Sequence, residues 1–207
     1  MFYSACGSNH DVEYLLSNTT KIQCIELLDN CPDVNELYNY SLSNTLKNNI
    51  DELLYELLSH IINSCSTHLK SNIVGDEISF DVINSNQKEH EFNNLKKDNN
   101  TLTLYHDSSI SNWHNIIRMG LKNYSGTDKQ TNGAAFGSGV YLSDKMNTSL
   151  GYCGSAGKKW SKSITLKTHV IMAICELCDK QNENWFKNPH YVVNDEKYIN
   201  IKKLILL

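Results

Sequence analysis

The 207-residue chain predicts an α+β fold with a largely antiparallel sheet. Three observations carry that expectation. The first third is patterned for helices. Strand patterns recur from Glu77 to the end of the chain. The helical stretches between those strands show no regular βαβ alternation. The pattern changes around Ser71–Asp76, which divides the chain into a helical N-terminal subdomain, residues 1–70, and a second domain, residues 71–207.

Within residues 10–70, VEYLL (12–16) and IQCIELL (22–28) are short amphipathic runs. A longer run sets Ile50, Leu53, Leu54, Leu57, Leu58, Ile61 and Ile62 on one stripe at helical spacing, which reads as a packing face. Pro32 beside Asp33 suits a helix start, where the missing N–H of proline costs nothing. EISFDVI (77–83) alternates as a strand does. Residues 86–97 read as a polar helix that ends at the Asp98-Asn99-Asn100 turn. TLTLYH (101–106) is a second strand. The next helix, SNWHNIIRMGL, has Ser111 or Asn112 near its cap, Trp113, Ile116, Ile117 and Leu121 facing inward, and Gly120 near its C-terminus. A loop over 122–138 leads into a buried strand, GVYL (139–142), and a helix over 144–152 opened by Ser143 or Asp144. HVIMAICEL (169–177) is a buried strand, and YVVND, DEKY and INIKKLILL read as a closing hairpin.

Composition narrows the function. The net charge of −4 and a single arginine, Arg118, count against nucleic acid as a partner. No apolar run approaches the ~20 residues of a membrane span. Seven cysteines at irregular spacings, behind an N-terminus without a basic or apolar leader pattern, read as reduced thiols of a cytoplasmic or nuclear protein. The CxxC of Cys175 and Cys178 sits inside an apolar run without a second ligand pair, so strand packing is expected there and no metal.

The stretch most specific for chemistry is GAAFGSGVYLSDKMNTSLGYC, Gly133 to Cys153. A glycine loop feeding a strand that presents aromatic residues suits a flat ring. Taken singly, its residues are bland: a tyrosine on a buried strand is usually core, and a helix serine is usually unremarkable.

Three ordered blocks change that reading. LYHDSSISNWHNIIRMGLKN, GAAFGSGVYLSDKMNTSLGYC and HYVVNDEKYINIKKLILL resemble the signature blocks of the poly(ADP-ribose) polymerase catalytic domain, closest to its small mono-ADP-ribosylating branch. The resemblance covers roughly residues 75–207. It implies an ADP-ribosyltransferase fold, with two small sheets forming a cleft for NAD as co-substrate, preceded by a small helical subdomain. It also implies roles. His106 matches the histidine that bonds a ribose hydroxyl of the adenosine half, and Tyr141 the tyrosine flanking the nicotinamide ribose and ring. Tyr152 matches the aromatic that stacks on nicotinamide, and Ser149 the serine that bonds the carboxamide oxygen. Ser108 and Asn112 match positions near the adenosine ribose. Asp107 stands where the family has a glycine whose N–H and C=O clamp the carboxamide. His190 stands where the family has a glutamate that stabilises the oxocarbenium and serves chain extension. His106, Tyr141 and His190 are thus the expected catalytic set.

The chemistry of these residue types suits those roles. Two tyrosine faces can hold a cationic ring by stacking and cation–π attraction, at about 0.5–2 kcal/mol per contact. A histidine facing the ribose must be neutral, because imidazolium would repel the developing positive charge. The expected function is transfer of one ADP-ribose to a protein side chain or to the enzyme itself. The alternatives are a pseudoenzyme that holds NAD or ADP-ribose without turnover, and transfer to water or a nucleic-acid end.

Overall fold

The computed structural model describes residues 1–8, 11–12, 15–127, 135–151, 159–163, 170–180 and 183–207. Five helices come first: α1 (Phe2–Cys6), α2 (Lys21–Asp29), α3 (Val34–Leu42), α4 (Leu46–Asn49) and α5 (Glu52–Asn63). Their starts are written locally. Thr20 with Gln23, and Asp33 with Glu36, form capping boxes, and Asp51 accepts the N–H groups of Leu53 and Leu54. Pro32 therefore lies one residue ahead of the cap. Phe2, Tyr3, Cys6, Cys24, Leu28, Cys31, Leu54 and Leu57 form a small buried cluster.

Two expectations change here. Only Leu54 and Leu57 of the long apolar stripe are fully buried, whereas Leu53 and Ile62 are 39% and 71% exposed. A helix of 12 residues packed against short neighbours cannot cover its whole apolar face. Val12, Leu15 and Leu16 pack on the cluster from non-helical backbone.

The larger sheet holds five antiparallel strands in the order β1 (His68–Val74), β2 (Glu77–Ile83), β8 (Ile199–Leu206), β5 (Ile171–Asp179), β3 (Asn100–Ser108). Strand β1 begins at His68, ahead of Ser71. Gly75, at φ +60°, turns it into β2 through a two-residue loop. The smaller sheet is antiparallel in the order β4 (Val140–Leu142), β7 (His190–Val193), β6 (Phe186–Lys187).

The closing hairpin does not form. Strand β7 pairs with β4 and β6, whereas β8 inserts between β2 and β5. The 3₁₀ turn Glu196–Tyr198 carries the chain from one sheet to the other. Alternation identifies a strand but not its neighbour; burial of Ile199, Ile201 and Leu204 in the main core favours the central slot for β8.

α6 (Asn86–Lys96), capped by Ser85, lays Phe92 and Leu95 on the sheet. It is pinned by a polar knot. Glu89 accepts from Asn84, Asn200 and Lys202, and the fully buried Asn200 also accepts from Asn84 at 2.9 Å. α7 (Trp113–Met119) follows the 3₁₀ turn Ile110–Asn112 and stops at Gly120, φ +79°. α8 (Met146–Leu150) is shorter than expected and has no side-chain cap; Ser143 Oγ instead accepts the N–H of Lys145, ahead of the helix.

The helical cluster is tied to the rest by backbone carbonyls. Arg118 donates to Ile61, Trp160 to Leu28, Lys162 to Asp29 and Cys31, and Asn115 to Asp11. Cys175 and Cys178 are buried in β5, where burial pushes the Cys175 thiol up to about 12. Among the described residues no group of three or more His, Cys, Asp or Glu is placed to hold a metal, and no helix is long and apolar enough to cross a membrane.

Candidate active site

The two sheets meet at one bridge. Tyr105 of β3 and Ser143, just past β4, exchange backbone hydrogen bonds at 2.7 and 3.0 Å. The candidate residues gather around this junction.

Strand β3 supplies one wall. It pairs with β5 over all nine residues, so its backbone orientation is set rung by rung. Because Tyr105 spends its N–H and C=O on Ser143, strand alternation aims the same groups of Asp107 to that side, away from β5. This is the orientation that a backbone clamp needs. The buried Asp107 carboxylate accepts the N–H of Ser108 at 2.6 Å, turned back on its own chain. A carboxylate bond of this kind to the next residue's N–H is what aspartate brings that glycine cannot.

His106 lies half-buried beside it. Its Nδ1 is 2.9 Å from the carbonyl oxygen of Tyr141, an acceptor only, so Nδ1 carries the proton and Nε2 keeps its lone pair. Burial holds its pKa below the ordinary histidine value, while the Tyr141 carbonyl pulls the other way. The fully buried Trp113 sets its edge against the His106 ring, at 6.4 Å between centroids, and donates Nε1–H to the Ser108 carbonyl at 3.0 Å. Ser108 Oγ accepts from Asn112 at 2.9 Å, so these two candidates act as a pair.

The small sheet supplies the other wall. The Tyr141 hydroxyl donates to the Gly137 carbonyl at 2.8 Å and accepts the Phe136 N–H at 2.9 Å. His190 opens β7 and is buried, its ring 5.8 Å from Tyr141 and 5.2 Å from Phe136. Burial lowers its pKa as well. Gly139 lets β4 approach β7, because a Cβ there would sit 2.8 Å from the Val193 carbonyl and from the Val192 side chain. Ser149, buried in α8, donates Oγ–H to the Tyr105 carbonyl at 3.0 Å. Its oxygen can accept an amide N–H as it stands; bonding a carboxamide oxygen requires the hydroxyl to turn off Tyr105.

The structure thus collects His106, Asp107, Ser108, Asn112, Tyr141, Ser149 and His190 about one junction. Tyr152 lies outside the described residues. Two contributors carried weak sequence signals. Phe136 is a lone aromatic among small residues, and Tyr105 acts through its backbone alone, which no residue type announces.

Two antiparallel sheets joined at the Tyr105–Ser143 bridge, with aromatic and imidazole groups on both sides of it, form the two-sheet architecture of an ADP-ribosyltransferase fold. The lining suits a cationic ring, since both imidazoles are held toward their neutral forms. Sequence comparison agrees. The chain belongs to the family described as the poly(ADP-ribose) polymerase catalytic domain, whose profile matches residues 58–205. It is 34% identical over 117 residues to proteins named protein mono-ADP-ribosyltransferase PARP8 from Mus musculus and Homo sapiens, a stretch covering 53% of this chain and 14% of each relative. It is 24% identical over 99 residues to poly [ADP-ribose] polymerase 2 of Zea mays, covering 48% of this chain and 15% of that one. The chain therefore matches only about one-seventh of the length of these relatives.

Proposed function

We propose that the chain transfers a single ADP-ribose from NAD to a protein side chain, its own included, and releases nicotinamide. The observation that carries this reading is the pairing of His106 with the Tyr141 carbonyl across the two sheets, with His190 in the glutamate position against the Tyr141 ring. NAD supplies a glycosidic bond to a cationic ring, which takes the bonding electron pair and leaves as neutral nicotinamide while positive charge develops on the ribose.

The protein supplies orientation and a lining of aromatic and imidazole groups, with the Asp107 carboxylate turned onto the Ser108 N–H. His106 Nε2 accepts a ribose hydroxyl. The backbone of Asp107 and the hydroxyl of Ser149 hold the carboxamide, and Ser108 with Asn112 flanks the adenosine ribose. Tyr141, and Tyr152 by its place in the motif, face the ring. Positioning of donor and acceptor does much of the work, and groups that tolerate positive charge on the ribose do the rest. His190 accepts from a ribose hydroxyl while neutral. A neutral bond contributes about 0.5–1.5 kcal/mol, against about 1.5–3 for a charged one, which slows turnover relative to glutamate and removes chain extension.

Residues 1–70 are proposed as the helical subdomain beside a catalytic domain over 71–207. A cytoplasmic or nuclear setting is proposed from the cysteine usage, with the Cys6 and Cys175 thiols both pushed up to about 12 and held reduced and unreactive by burial. Incubation with adenylate-labelled NAD tests the function. Label fixed to protein as single units supports it. Free ADP-ribose assigns water as the acceptor, and a thermal shift without turnover leaves an NAD-holding module.

A further inference from the structure

Between α6 and the Glu196–Tyr198 turn lies a groove of about 730 Å³, within the size range of small-molecule sites. Its floor is apolar, formed by the buried Phe92, Leu121 and Ile199. Three lysines stand on it. Lys122 pairs with Glu196 at 3.2 Å, and Lys197 with Asp195 at 2.8 Å. Lys88 is different. It is half-buried, and among the described residues its ammonium makes no hydrogen bond and no ion pair. Its neighbour Glu89 is already committed to Asn84, Asn200 and Lys202. Gly120 leaves the space around Nζ open; a Cβ there would come within 3.5 Å of it. Burial holds the Lys88 pKa below its ordinary value, outweighing the opposing pull of the nearby Glu89 carboxylate.

A charge of this kind, at the end of an apolar floor, selects its complement. We propose that the groove is a binding site for a monocarboxylate with an apolar body, the carboxylate paired with Lys88 and the body lying on Phe92, Leu121 and Ile199. A phosphate dianion fits poorly, because Glu91, Asp195 and Glu196 line the same groove and the two other lysines are neutralised. The site is separate from the donor cleft. The seven residues of α7, about 10 Å of helix, stand between Asn112 at one end and Gly120 at the other.

The test uses the full chain with octanoate, octanamide and inorganic phosphate as probes, read by calorimetry and by the Lys88 Cε resonance. Octanoate is expected to bind with a Kd of about 1 mM, as ten heavy atoms allow. It should shift that resonance, while octanamide binds at least about tenfold more weakly and phosphate leaves the resonance in place. Lys88→Met is expected to lose about tenfold for octanoate, and Lys88→Arg to retain binding. Equal binding of octanoate and octanamide, an unmoved Lys88 resonance, or no octanoate binding at 10-fold above that concentration overturns the proposal. The resonance shift in the unsubstituted chain decides the matter even if Lys88→Met fails to fold. None of these readouts depends on ADP-ribose transfer.

Discussion

The two walls of the candidate cleft are built differently. On one side β3 runs nine residues against β5 without a break, and His106, Asp107 and Ser108 take their places from that ladder. On the other side β4 contributes three paired residues, and Tyr141 is steadied by two hydrogen bonds to the Phe136–Gly137 loop. The long wall fixes the groups proposed to hold the donor. The short wall carries Tyr141 and His190, the groups nearest the proposed chemistry. A residue on the long wall can change only if its backbone direction survives, as with Asp107. At the start of β7, His190 is held by ring packing against Tyr141 and Phe136.

The sharpest way to break this contrast is His106→Ala, which removes the side-chain bond from β3 to Tyr141 and leaves the Tyr105–Ser143 bridge in place. Labelling from NAD is expected to fall at least about 100-fold, since both a ribose partner and the hold on the Tyr141 carbonyl are lost, the latter at about 1–3 kcal/mol. Unchanged labelling would mean that the site lies elsewhere. Gly139→Ala attacks the short wall directly. Its Cβ would meet the Val193 backbone at 2.8 Å, and overpacking of this kind costs about 1–3 kcal/mol. The expected readout is a thermal midpoint lowered by about 2–10 °C, and an unchanged midpoint would show that β4 moves away freely.

Ser149→Ala should be milder. It removes one neutral bond to the Tyr105 carbonyl, which keeps its partner Ser143, so NAD affinity should weaken by about three- to tenfold with stability changed by about 1 kcal/mol or less. Loss of folding in that variant would place Ser149 in the scaffold alone.

The smallest effect concerns pH. His106 and His190 both have pKa values depressed by burial, so their neutral forms persist below the ordinary histidine value of about 6.5. Because the unfolded chain takes up protons there first, stability is full above about pH 6.5 and declines as pH falls below it toward the folded values. Rate should follow, flat from about 6.5 to 8 with an acid limb of two protons; His190→Gln should leave a limb of one proton. A rate that already falls between pH 8 and 7 contradicts a neutral imidazole at this site.

Much of this was legible in the sequence because its signals were local. Pro32 beside Asp33 announces a helix start, Gly120 announces a stop, and the Glu77–Ile83 alternation survives as β2. The three ordered blocks placed His106, Tyr141, Ser149 and His190 in one site before any contact was known. Other features were not legible. α1 has five residues and no periodic run. His68–Lys70 looked like the end of a helical region but joins β1, whose partner strand decides its state. The proposed hairpin failed because β7 and β8 are equally strand-like yet belong to different sheets.

By itself, then, the sequence determined most kinds of element and the residue types that an NAD cleft requires, since each is written within a few neighbouring positions. Only the tertiary structure decided that His106 carries its proton on Nδ1, that Asp107 folds its carboxylate onto Ser108, that Ser149 spends its hydroxyl on Tyr105, and that Lys88 lines a groove with no ion pair among the described residues. Apart from the Asp107–Ser108 bond, which its β3 setting imposes, these facts depend on groups many residues apart being brought within hydrogen-bond reach, and the direction of a bond is set by the backbone that arrives.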